Sequence, residues 1–221
     1  MSWDINEPLC RKWADSLIER HNKKRFDEPC SFDVYDLIDI VGAKLAIEYL
    51  TPERKYLGAT IFKDATLWIW PDNPYFNGML PTRKFFKEGT IIIDKDLVNS
   101  ELDTDIKIAN FTFLHEIFHF EKHKDVIDEK YHITQQNNMY GNKLEQEANY
   151  GASLFLMPER AVKNVFMEEF VLHETPRYPL PFYYSTKPVI QKMAQIFGVN
   201  YSPMVYRLQE LSLINKSWER W

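Results

Sequence analysis

Two histidines and a glutamate carry the first recognisable chemistry in this chain: His115-Glu116-Ile117-Phe118-His119 is an HExxH. On a helix, residues four apart lie on one face, one turn from each other. Both imidazoles can then reach one metal ion at about 2.0–2.1 Å. Glu116 sits roughly 100° further round the helix axis. From there it flanks the metal's open position without being a ligand. Two fixed nitrogens, an open position and a carboxylate that takes a proton from water are what a hydrolytic zinc site needs.

The helix presenting these residues is expected over residues 103–123, with Asp103 or Thr104 as its cap. Ile106, Ile108, Phe111, Phe113, Leu114, Ile117, Phe118 and Phe120 surround it on nearly all sides. A helix apolar all round is a buried one. Burying three polar side chains without partners costs several kcal/mol in total. One metal ion satisfies all three together; hydrogen bonds among themselves or to backbone are the alternative.

Catalytic zinc usually has a third protein ligand. The next helix, expected over about 143–156, supplies two carboxylates, Glu145 and Glu147. Glu145, Ala148, Asn149 and Ala152 share one face, and the small residues permit close approach to the HExxH helix. Glu147 falls roughly on the opposite face, so both cannot serve. Helical geometry alone does not choose between them, and both also read as ordinary surface charges.

The segment Phe-Thr-Phe-Leu before the HExxH, then Glu145-Gln-Glu-Ala-Asn149 leading into Ala-Ser-Leu-Phe-Leu-Met157-Pro158, resembles the ImmA/IrrE family of metallo-endopeptidases. The resemblance runs from about Ile91 to Pro158 and resumes weakly from Ile196 to Val199 and from Val205 to Leu208. It implies an α+β, zincin-like fold, with a small, mostly antiparallel sheet beside the metal helices. It implies one zinc ion held by His115, His119 and Glu145, with Glu116 as general base. It also implies a protein substrate, a helix-turn-helix transcriptional repressor cleaved in regulatory proteolysis. One departure is Gly151, where the family usually has Phe; it reads as a gap beside the site. Residues 1–57 match the pattern poorly.

The elements that must position these groups read as follows. A first helix is expected over residues 7–23, a charged loop over 22–28, and a second helix from Asp33 to about Val41, capped by Asp33 and ended by Gly42. Strands are expected at Leu45–Leu50, Gly58–Phe62, Thr66–Trp70 and Thr90–Ile93. Residues 71–88, with three prolines, read as a long loop able to cover a cleft, and Tyr75 or Phe76 as grips on substrate. Gly58–Phe62 and Thr66–Trp70 are candidate sheet edges for pairing with an extended peptide. His132–Asn142 reads as a polar loop, Pro158 as the first turn of a helix ending near Phe170, and residues 173–186 as a linker. Short helices at 187–197 and 203–213 close the chain, separated by Gly198. The expected organisation is a helical extension (1–30), a metallopeptidase domain (31–172), and a linker with a small helix-turn-helix-like subdomain (173–221). An oxyanion stabiliser is sought among His123, Tyr131, His132, Tyr140, His173 and Arg207.

Composition bounds the partners. The 221 residues carry 27 Lys and Arg against 32 Asp and Glu, a net charge of −5, which disfavours holding nucleic acid over the whole surface. Residues 186–221 hold five basic groups against two acidic and keep local DNA contact in play, with Arg207 and Gln209 as the base-reading side chains. With only seven glycines, and neither GxGxxG nor GxxxxGK[ST], no nucleotide cofactor is expected. Cys10 and Cys30 form no CxxC. No signal peptide or membrane span is expected, and the expected location is the cytoplasm. The rivals to the peptidase reading are a DNA-binding regulator and a zinc-bound interaction module without activity; in the latter, protein ligands would close the metal's fourth position.

Overall fold

A computed structural model describes residues 5–71, 80–127, 129–135, 143–169 and 186–215. The chain divides into two compact units, one of Met1–Ala14 with Asp33–Ala152, the other of Asp15–Phe32 with Ser153–Trp221. Two of the three divisions fall within helices, α1 (Glu7–His21) and α5 (Lys143–Leu156).

The first unit holds α2 (Val34–Val41), six strands and the HExxH helix. Asp33 caps α2 by accepting from the Tyr35 N–H at 2.8 Å, and Gly42 ends it at φ 73°, a left-handed conformation that suits glycine. Strands β1 (Lys44–Glu48), β2 (Tyr56–Ile61), β5 (Thr90–Asp94) and β6 (Tyr131–Gln135) form a sheet in the order β1-β5-β2-β6. β1 pairs parallel with β5; β5 with β2 and β2 with β6 pair antiparallel. β3 (Ala65–Ile69) and β4 (Thr82–Phe86) form a separate antiparallel hairpin. The fold is α+β, with a mostly antiparallel sheet beside the HExxH helix, as expected.

Alternation along the strands divides the sheet's two faces. Ala59, Ile61 and Ile92 pack into a cluster with Leu67, Ile69 and Phe86 of the hairpin. Their neighbours Gly58 and Thr60 point the other way, toward helix α4 (Asp103–Phe118). In the β2–β6 pairing Thr60 stands opposite His132, so His132 shares the helix side, while Tyr131 and Ile133 pack with the hairpin cluster.

Several local expectations are corrected. β4 lies inside the segment read as loop 71–88: its burial pattern is exposed at four of five positions, so no apolar alternation marks it. Residues 72–79, with Tyr75 and Phe76, lie outside the described residues. β6 runs through the start of the segment read as a polar loop; at the sheet's edge it needs few apolar residues. The charged loop 22–28 contains a 3₁₀ turn, Lys23–Phe26, capped by the Asn22 side chain. Gly58–Phe62 is no sheet edge, because β2 lies between β5 and β6. Thr66–Trp70 belongs largely to the two-stranded hairpin, where β3 pairs with β4 on one side, so among the described residues it remains an edge. The N-cap of α4 is Leu102, whose carbonyl accepts from Asp105 and Ile106; Asp103 and Asp105 instead sit in the first turn, where acidic side chains complement the helix dipole. Asp105 is held there by Arg54 and Ser100 at 2.9 and 2.6 Å. The helix is buried from Thr112 onward, but Ile106 is 46% exposed.

In the second unit, α6 (Glu159–Glu169), α7 (Lys187–Ile196) and α8 (Tyr201–Glu210) bury Val162, Phe166, Met193 and Leu208. Gly198 makes the α7–α8 turn at φ 62°. Arg207 and Gln209 are buried; Arg207 donates to the Met157 carbonyl at 2.9 Å and pairs with Glu210 at 2.6 Å. The linker read over 173–186 lies almost wholly outside the described residues. No helix among the described residues is long and apolar enough to cross a membrane.

Candidate metal centre

The last turn of α4 carries His115 and Glu116, and a π-helical turn, His119–His123, continues it. His115, Glu116, His119, His123, Glu145 and Glu147 are all buried. Neither glutamate of α5 is therefore a surface charge.

His115, His119 and Glu145 converge, each offering a ligand atom within 4.8 Å of the others. The two Nε2 atoms lie 3.0 Å apart. His119 Nε2 is 3.2 Å from Glu145 Oε1, and His115 Nε2 is 3.6 Å from Oε2. On the other side of the His115 ring, Nδ1 lies 2.9 Å from Asn149 Oδ1. An amide oxygen only accepts, so Nδ1 donates, and a neutral His115 keeps Nε2 bare.

Burial of the His119 imidazole moves its pKa well below the ordinary value, favouring the neutral ring. Burial alone would raise the Glu145 carboxyl, but the imidazoles of His115, His119 and His132 around it outweigh that and hold the acid well below the ordinary carboxylate range. A buried carboxylate and two imidazole edges facing one another favour a cation between them. The donor set, two imidazoles and one carboxylate, fits zinc.

Glu116 stands beside these three side chains rather than among them. Its Oε2 accepts from the Thr60 hydroxyl at 2.7 Å, and the same hydroxyl lies 3.2 Å from the Glu116 carbonyl. A Cβ on Gly58 would come within 2.7 Å of Glu116 Oε1 and 2.9 Å of its Cγ, so only glycine leaves this carboxylate its place. His132 contacts Glu145 Oε1 through Nε2 and stacks on His119 with ring centroids 4.5 Å apart. Burial lowers its pKa, but Glu145 outweighs that and raises it.

Of the residues considered as oxyanion stabilisers, His132 thus lines the cluster. His123 is buried behind His119, Tyr131 faces the opposite side of the sheet, and Tyr140 and His173 lie outside the described residues. Arg207 is engaged with Met157 and Glu210. The gap expected at Gly151 is filled: a Cβ there would meet the Phe118 ring at 2.3 Å and Trp13 at 3.2 Å. Burial, with help from Glu147, pushes the Cys10 thiol up to about 12, so it is no thiolate ligand. Gly58 and Thr60 went unread as site residues. A glycine within a β-prone run was the one available signal for close approach.

An α+β domain with an HExxH on a buried helix and a carboxylate from the next helix defines the zincin-like metallopeptidase class. Residues 98–209 match Peptidase_M78, the IrrE N-terminal-like domain, and the chain belongs to this family. No curated relative matches the chain.

Proposed function

We propose that this chain is a zinc-dependent endopeptidase, with one Zn²⁺ held by His115, His119 and Glu145. The observation that carries this reading is the buried convergence of those three side chains, with Glu116 fixed beside them by Thr60. Zinc in such a site supplies Lewis-acid activation of water and of the scissile carbonyl. Glu116 takes the proton from the attacking water at its carboxylate and passes it to the leaving amine. Thr60 and the absence of a side chain at Gly58 keep that carboxylate in one position.

Among the described residues β6 is an edge strand of the sheet, and it carries His132 next to Glu145. An extended substrate pairing along this edge would lie beside the metal centre, with His132 in reach of its carbonyl oxygen. The substrate class, a helix-turn-helix repressor in the cytoplasm, rests on family resemblance. The chain's net charge of −5 agrees with a protein partner more than a nucleic acid. The test is cleavage of candidate repressors by the zinc-loaded protein, with Glu116→Gln as control. A Glu116→Gln protein as active as wild type would falsify the assignment.

A further inference from the structure

Behind His119 lies a second row of buried groups that the reaction above does not use. The His119 ring turns Nε2 toward His115 and Glu145, and its Nδ1 lies 2.9 Å from Nδ1 of His123. His123 Nε2 lies 3.2 Å from Glu147 Oε2, and the other oxygen of Glu147 accepts from the Asn6 backbone N–H at 2.9 Å. Apolar rings wall the row: Phe118 packs edge-on against His123 with centroids 5.1 Å apart, and Trp13 packs on Phe118 at 4.8 Å.

The direction of the hydrogen bonds follows from the donor inventory. A carboxylate only accepts, and a neutral imidazole has one N–H. His123 therefore meets Glu147 with its proton on Nε2, which leaves its Nδ1 bare. Nδ1 of His119 must then be the donor between the two rings, and Nε2 of His119, 3.2 Å from Glu145, would offer a metal ion its lone pair rather than that carboxylate a proton. His115 reaches the same state in one step through Asn149. His119 needs two, through His123 and Glu147.

We infer that Glu147 and His123 are positioning residues: a carboxylate–histidine–histidine row that sets the tautomer and ring orientation of His119, so that Nε2 faces the metal. This rests on the metallopeptidase reading above. It gives the second glutamate of α5 a role other than ligand, and it gives His123 one too, since both of its ring nitrogens are engaged. Partners of this kind are worth about 10–100-fold in metal affinity.

The first measurement needs no variant. In the zinc-loaded wild-type protein, labelled with ¹⁵N at histidine, long-range ¹H–¹⁵N correlation should show His119 protonated at Nδ1 and His123 at Nε2. A proton on Nδ1 of His123 overturns the row. The second is Zn²⁺ affinity by competition with a chromophoric chelator, with the visible spectrum of the Co²⁺ form. In Glu147→Gln the Asn6 N–H holds the amide oxygen, so the amide NH₂ faces His123 and reverses the row. Zinc affinity should fall about 10–100-fold and the Co²⁺ bands should shift. His123→Phe should give a drop of similar size. Glu121→Gln, which alters a carboxylate bonded to Trp13 at 2.7 Å, should leave affinity unchanged. Wild-type affinity in folded Glu147→Gln and His123→Phe overturns the inference. Failure of the wild type to take up zinc removes the metallopeptidase reading itself, and the row's role with it. If the variants do not fold, the tautomers of the wild type decide.

Discussion

On one face of the four-stranded sheet, Gly58, Thr60 and His132 turn toward Glu116 and Glu145; on the other, Ala59, Ile61, Tyr131 and Ile133 pack with Leu67, Ile69 and Phe86. These residues alternate along the same two strands. Their neighbours in sequence therefore have opposite work. One face brings the Thr60 hydroxyl to Glu116 and His132 to Glu145. The other removes apolar surface from water and holds the strands in register. A one-residue slip of β6 would exchange His132 for Tyr131 or Ile133 beside Glu145. The apolar face is thus the device that keeps the polar face in position.

The comparison can be broken most strongly at Glu116. Glu116→Gln should cut turnover by about 10²–10⁴-fold while zinc content and thermal stability hold, measured by metal analysis and calorimetry on the same sample. Across the sheet the reverse is expected. Ile61 is fully buried, and Ile61→Ala should cost about 2–4 kcal/mol of stability, read by urea unfolding, with turnover per folded molecule unchanged. Loss of turnover without loss of stability in that variant would break the division.

A buried acid away from the histidines sharpens the contrast. Asp94, at the end of β5, is raised by burial from an ordinary 3.8 to about 6, whereas the histidines around Glu145 hold that acid down. A raised carboxyl favours folding in its protonated form. Its contribution is full below about pH 4 and is lost as pH rises through about 6. Asp94→Asn keeps an N-cap oxygen for Leu97 without the charge. Relative to wild type it should gain about 2–3 kcal/mol between pH 4 and pH 7, seen in denaturant unfolding at the two pH values. The smallest effect is expected at Gly58. Gly58→Ala pushes on the Glu116 carboxylate and should lower turnover about 10-fold, on the order of 1.4 kcal/mol, with zinc affinity near wild type.

Much of this site was legible in one dimension because an α-helix has a fixed period. His115 and His119 four residues apart had to share a face, and Glu116 had to stand beside it. The Asp33 cap and the Gly42 stop of α2 were legible for the same local reason. β4 and β6 were not. A strand's hydrogen bonds go to a partner distant in sequence, and both strands carry exposed or polar residues. His132 joins Glu145 only because β6 pairs with β2, and nothing local announces that pairing. Glu145 and Glu147 show the same boundary. Their separation by two residues placed them on different sides of α5, but both faces turn out to be buried, each against different histidines.

By itself the sequence determined the chemistry: two imidazoles, a carboxylate beside them, and the family in which that pattern recurs. Those are properties of residue type and of a helical repeat of 3.6, which need no partner. The tertiary structure alone decided what Glu147 meets, which strand brings a third histidine to the cluster, and why residue 58 has no side chain. Each of those is a contact between segments far apart in the chain, and such contacts are set by register and packing rather than by any local rule.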